Sequence, residues 1–128
     1  MNSVWLVGMG SALGGMARYL AVNGVYRLWP HHLPFGTIAV NVTGCLLMGL
    51  LAGWRTPEGE PWLKPDLREF LLTGVLGGYT TFSAFSLQTL ALMREGHHQA
   101  AAANVLLSVG LCLGAVAFGY AVSSGLRS

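Results

Sequence analysis

The chain has 128 residues, 53% of them hydrophobic and only 9% charged, whereas a soluble domain carries about 25% charged residues. A formal net charge of +2 and a mean hydropathy of +0.55 exclude an ordinary soluble domain. They also leave no basic patch of the kind that nucleic acid requires.

A membrane-spanning helix needs roughly 20 mostly apolar residues. Four segments meet that need: about Val4–Leu28, Pro34–Trp54, Asp66–Arg94 and Gln99–Leu126. Little chain is left over, so the expectation is one all-α membrane domain over 1–128. The first segment lacks the charged leader of a signal peptide and is read as retained. Its Gly10 and Gly14 share a face, where small residues let helix backbones approach closely in lipid. Arg18 follows at or near membrane depth. It either snorkels to the interface or raises the local anion concentration in a water-filled vestibule.

The second segment carries Thr37, Asn41 and Thr43 near its start, with Thr37 and Asn41 four apart on one face. The Asn41 amide suits an anion or an interhelical hydrogen bond equally. The loop from Arg55 to Pro65 reads as an ordinary solvated connection. Asp66 is a plausible cap for the third helix.

The most informative stretch is Gly77-Gly78-Tyr79-Thr80-Thr81-Phe82-Ser83-Ala84-Phe85-Ser86. Two glycines, two threonines and two serines suit a lipid-facing helix poorly. Non-helical backbone survives at membrane depth only where protein or water covers it. A helix break is therefore expected over Gly74–Thr81, beside a pathway or an ion. Phe82 and Phe85, three apart, are core packing or part of a lining. With hydroxyls and amides nearby, ring edges make a weakly polar surface that tolerates a small anion. Carbonyls freed at broken helices can hold small cations. Two copies meeting around a twofold axis would supply four oxygens, a set suited to Na+.

The fourth segment carries Asn104 and Ser108, four apart. Trp5, Trp29, Trp54 and Trp62 fall near segment ends, as interface aromatics do. Arg55, Lys64, Arg68 and Arg127 lie on one side of the expected topology, Arg27 and Arg94 on the other. So weak a bias is compatible with one orientation or with insertion both ways, hence with an antiparallel homodimer. No pair of intramembrane carboxylates and no Ser–His–Asp set at one depth signals an enzyme. His31, His32, His97 and His98 read as solvated loop residues. Cys45 and Cys112 read as two small buried side chains, with no argument for a disulfide.

The Gly77–Ser86 stretch resembles the GGxTTFSTFS signature of the Fluc fluoride channels, also called the CrcB family. Gly14-Gly15-Met16-Ala17-Arg18-Tyr19 resembles its first-helix G-x-x-x-R-[YW] motif, and Pro34 to Asn41 its P-x-G-T-x-x-V-N motif. The three occur in order over nearly the whole chain. The resemblance implies a dual-topology antiparallel homodimer in a bacterial-type plasma membrane, with two pores passing fluoride over chloride. It implies a central Na+ that is not transported, held by backbone carbonyls of Gly77 and Thr80. By position, Phe82 and Phe85 would form an aromatic box, Asn41 the pore amide and Arg18 the vestibule charge. Ser83 and Ser86 would belong to a polar track, with Thr37 of the second motif also at the pore. Ala84 stands where the signature has a hydroxyl, so one polar-track contact is either missing or supplied by Ser108. Gln88 stands where many members have Glu, and Asn104 where an aromatic or hydroxyl residue is common.

The expected function is passive exit of toxic cytoplasmic fluoride, with lipid, fluoride and a second copy as partners. A small dual-topology exporter of cations or drugs is the second reading, against which the missing acid counts. A non-conducting scaffold is the third, against which the polar stripes count.

Overall fold

Asn2 begins the first helix by accepting a hydrogen bond from the Val4 N–H at its side-chain oxygen, 2.9 Å, the usual N-cap chemistry. The structure, a computed structural model, describes residues 2–125. Helix α1 is Ser3–Leu28 and α2 is Phe35–Ala52, entered directly after Pro34. Helix α3 covers 65–79. It opens as a short α-helical turn (Pro65–Arg68), widens into a π-helical stretch (Glu69–Leu76) and closes with Gly77–Tyr79. Helix α4 is Phe82–Arg94 and α5 is His98–Gly125. The expected end of the fourth segment, Leu126, and Arg127 lie outside the described residues.

Among the described residues, three stretches are long and apolar enough to cross a membrane: Phe35–Ala52, Pro65–Arg94 taken through its interruption, and His98–Gly125. Helix α1, at 26 residues, has the length, about 39 Å at 1.5 Å per residue. It is less apolar because glycines, Arg18, Asn23 and tyrosines occupy it. Of the four expected spans, three therefore stand on length and apolarity together.

The helices pack as two parallel pairs. In the first, α1 lies on α3 backbone to backbone. A Cβ on Gly10 would meet the Phe70 carbonyl at 2.6 Å, and one on Gly78 the Ser11 carbonyl at 2.6 Å; a Cβ on Gly14 would run into the Val75 carbonyl. Gly10 and Gly14 thus face Gly74 and Gly78, two small-residue ridges each spaced by four. In the second pair, Gly49 of α2 and Gly53 just past its end face Val116, Tyr120 and Ser123 of α5, while Gly119 of α5 faces Leu46 and Leu50. Gly36 packs against the Val22 backbone and joins α1 to α2. Few large apolar side chains are buried, Val40, Ile38, Leu76 and Leu92 among them. Leu106, Leu113 and Phe118 of α5 stand outward, as expected where lipid is the solvent.

Two expectations are corrected. The interruption does not extend over Gly74–Thr81, because the backbone is helical through Tyr79. Only Thr80 (φ −89°, ψ 159°) and Thr81 (φ −152°, ψ 120°) are extended. The glycines before them serve close packing on α1. Asp66 is not the cap: Lys64 holds that position, with Pro65 first in the helix and Asp66 in its first turn. The loop after α2 is ordered. Thr56 donates to the Glu60 carbonyl at 2.8 Å and Trp62 to the Trp54 carbonyl at 3.0 Å, and the Trp54 and Trp62 rings stack 5.5 Å apart.

A Schellman turn ends α4. His97 N–H donates to the Leu92 carbonyl at 2.8 Å and Gly96 N–H to that of Met93 at 3.1 Å. Gly96 takes φ +84°, a conformation that glycine adopts freely. The turn brings His97 to His32 of the α1–α2 loop, ring centroids 4.6 Å apart.

Candidate functional site

The site begins with one misdirected hydrogen bond. Thr80 N–H still donates to the Leu76 carbonyl, 3.1 Å, as α-helical spacing requires. Continuation would send the Thr81 N–H to the Gly77 carbonyl. It goes instead to the Asn41 side-chain oxygen at 2.7 Å, and Asn41 Nδ2 donates to the Thr81 carbonyl at 3.0 Å. One amide side chain thus satisfies both backbone groups of the extended residue, as a neighbouring strand would. Gly77 loses its helical donor in the process. Thr81 then caps α4, its hydroxyl accepting from the Ala84 N–H at 3.2 Å. A second link, Thr43 Oγ1 to the Tyr79 hydroxyl at 3.0 Å, ties α2 to the last turn of α3.

Two cavities meet at Thr81. The first, about 310 Å³, is lined by Asn41, Thr80, Thr81, Phe82, Phe85 and Ser108, with Cys45 and Cys112 on its wall. The Phe82 and Phe85 rings lie 5.3 Å apart and tilted by 55°. They are not equivalent: Phe85 is 8% exposed and Phe82 77%. The second cavity, about 330 Å³, is lined by Arg18, Asn23, Thr37, Thr81, Ala84 and Gln88. Arg18 Nε and Gln88 Oε1 are both shielded there without a hydrogen-bond partner. A third, about 300 Å³, shares Gln88 and extends to Tyr26, His31, His32 and Glu95. Polar groups thus form a track from the α1–α2 loop past Arg18 to the aromatic cleft.

Behind the cleft lies a polar relay. Ser108 donates to Asn104 Oδ1 at 3.2 Å, Asn104 Nδ2 to Thr89 Oγ1 at 2.9 Å, and Thr89 Oγ1 to the Phe85 carbonyl at 2.8 Å. Asn104 is wholly buried, a placement that only a satisfied amide tolerates cheaply.

The structure therefore gathers Asn41, Thr80, Phe82, Phe85 and Ser108 in one cleft, and Arg18 and Thr37 in the next. Gly77 lies behind the break. Ser83 and Ser86 fall outside both cavities, on the exposed side of α4. Ser83 shares a hydrogen bond with Thr81 at 3.3 Å, and Ser86 donates back to the Phe82 carbonyl at 3.0 Å. Thr89 and Asn23 carry no mark in the sequence reading, and Tyr79 and Thr81 enter it only as part of the Gly77–Ser86 stretch. Thr89 was discoverable, lying four residues after Phe85 on the same helical face.

The class that fold and site define is a small, multi-span, all-helical membrane protein with a polar track and, among the described residues, no acidic side chain lining the aromatic cleft. The chain belongs to the CrcB family: the family model described as "CrcB-like protein, Camphor Resistance (CrcB)" matches residues 5–120. A relative in Bradyrhizobium diazoefficiens, named fluoride-specific ion channel FluC 2, is 44% identical over 126 residues, 98% of this chain and 92% of that protein. Proteins named fluoride-specific ion channel FluC in Opitutus terrae and Rhizobium meliloti are 43% and 45% identical. They cover 100% and 95% of this chain, and 97% and 96% of their own lengths. The family is one of ion channels, not enzymes, and the chain is an integral multi-pass protein of a bacterial-type plasma membrane.

Proposed function

We propose that this chain is a passive, fluoride-selective channel that lets cytoplasmic fluoride leave the cell. The observation that carries the reading is the cleft where Asn41, Phe82, Phe85 and Ser108 meet beside a helix interruption, in a chain so similar to proteins named fluoride-specific ion channels. Arg18, with a shielded and unpartnered Nε, draws anions into the polar cavity that Thr37 also lines. Fluoride then passes Thr81 into a lining of ring edges and hydroxyls. Such a lining replaces hydration water in weak steps and does not hold the ion. The absence of any carboxylate there disfavours a cation pathway.

The working unit is an antiparallel dual-topology homodimer, with α1 as the fourth span. The near-even loop charges support it. So does the outward placement of Phe82, Ser83 and Ser86, which a second copy would cover and so add to the track. A structural Na+ at the interruption fits the residues present. A hard cation takes oxygen ligands, and Gly77 has lost its helical donor to Asn41. The carbonyls of Gly77 and Thr80 would hold the ion with those of a second copy. When bound, it would supply fixed positive charge that ties the two interruptions together.

Efflux from liposomes tests the function. The proposal expects fluoride loss that needs only a counter-ion path and no pH gradient. An exporter would require a coupled ion, and a scaffold would pass nothing. Replacing Na+ by a bulky organic cation is expected to weaken the dimer or stop conduction. Unchanged flux and dimer stability in rigorously Na+-free buffer would rule out the central ion. Accessibility of a C-terminal tag should find both orientations in the membrane, and a single orientation would refute dual topology.

A further inference from the structure

The two cysteines are 67 residues apart in sequence, yet the helix register brings them together. Helices α2 and α5 run parallel, with Gly49 against Val116. One turn back on each helix, four residues, lie Cys45 and Cys112. Both side chains line the Phe82–Phe85 cleft, and both are free thiols, half-buried. The two small side chains read from the sequence are free and half-buried, and they share one cleft.

The cleft supplies no third ligand, since no His, Asp or Glu lines it. Among the described residues no group of three or more such side chains could hold a metal. A tetrahedral zinc site is excluded on that count. Two sulfurs alone suit a soft ion that accepts two ligands. Charge decides further. A monovalent ion held by two thiolates would leave a net negative charge in an apolar cleft, which is costly. A divalent ion leaves none.

We propose that Cys45 and Cys112 form a binding site for one soft, two-coordinate divalent metal ion of the mercuric type, on the wall of the aromatic cleft. With mercuric chloride, two Hg–S bonds form, two Hg–Cl bonds break, and the two thiol protons leave with chloride. No electron changes hands. That loading blocks conduction rests on the reading of this cleft as part of the fluoride path.

The test uses the full chain in liposomes, treated with mercuric chloride, and reads intact mass and flux separately. The chain has only two cysteines, so the stoichiometry is direct. One mercury per chain, with neither thiol left open to N-ethylmaleimide, is the expected result. Cys45→Ala and Cys112→Ala should each lose the metal to a monothiol competitor at least about tenfold more easily, because the second sulfur binds intramolecularly. Two mercury atoms per chain, or one variant that holds the metal as firmly as the parent, would overturn the site. Fluoride efflux that falls on loading and returns with a dithiol supports both site and cleft. One mercury per chain with unchanged efflux keeps the site and removes the cleft from the path.

Discussion

Helices α3 and α4 adjoin in sequence and are built for different purposes. Helix α3 lies against α1 through glycines on both sides, so its backbone is the packing surface. Helix α4 touches its neighbours with side chains: Phe85 buried, Thr89 in the Asn104 relay, Phe82 turned outward. Between them stand two extended residues, Thr80 and Thr81, the second held by Asn41. The half before the interruption fastens the fold, and the half after it presents the groups that an ion would meet. Glycine is therefore informative on one side and uninformative on the other, and the reverse holds for aromatic and hydroxyl residues.

The sharpest way to break this contrast is Gly14→Leu. Its Cβ would collide with the Val75 backbone, which cannot yield as a side chain can. Overpacking costs about 1–3 kcal/mol, occasionally more. The expected outcome is loss of folded protein on size exclusion. Gly8→Leu, in open space on the same helix, should fold like the parent.

Asn41→Leu comes next. It strands the Thr81 N–H and carbonyl, at about 1–3 kcal/mol for each unsatisfied group. Thermal unfolding in detergent should show that loss, together with reduced flux. Asn41→Asp keeps the acceptor for the Thr81 N–H, loses the donor to its carbonyl, and should fall between. If Asn41→Leu is as stable as the parent, the amide does not hold the interruption.

Asn104→Ala removes the centre of the relay behind the cleft and should cost about 1–3 kcal/mol. The smallest effect on stability separates the two rings. Phe82→Ile, at an exposed site, should change monomer stability by about 0.5 kcal/mol or less, whereas Phe85→Ile should cost more. Both should reduce fluoride flux by about tenfold or more, a barrier change of about 1.4 kcal/mol. Variants that conduct like the parent would reduce the rings to packing.

Much of the fold was legible because hydropathy and length report on spans directly. Gly10 and Gly14 were legible as a close-packing face because small residues four apart share one side of a helix. The break is narrower than the sequence suggests because glycine means two things in a membrane helix, freedom to unwind and room to pack. At Gly74 and Gly78 packing won, and only their partners on α1 reveal it. The Asn41–Thr81 exchange was not legible, since a polar residue in a span shows that it needs a partner without naming one. The meeting of Cys45 with Cys112 was hidden similarly, fixed by helix register. Ser83 and Ser86 read naturally with Phe82 and Phe85, yet in the single chain they line neither cavity and stand exposed beside Phe82.

The most direct test of the central claim is the reversal potential of the reconstituted protein in a planar bilayer under opposed fluoride, chloride and sodium gradients. The account predicts a current that reverses near the fluoride equilibrium potential, unmoved by the chloride, sodium or pH gradient. A reversal that follows chloride or sodium, or a fluoride flux that carries no current, would contradict it.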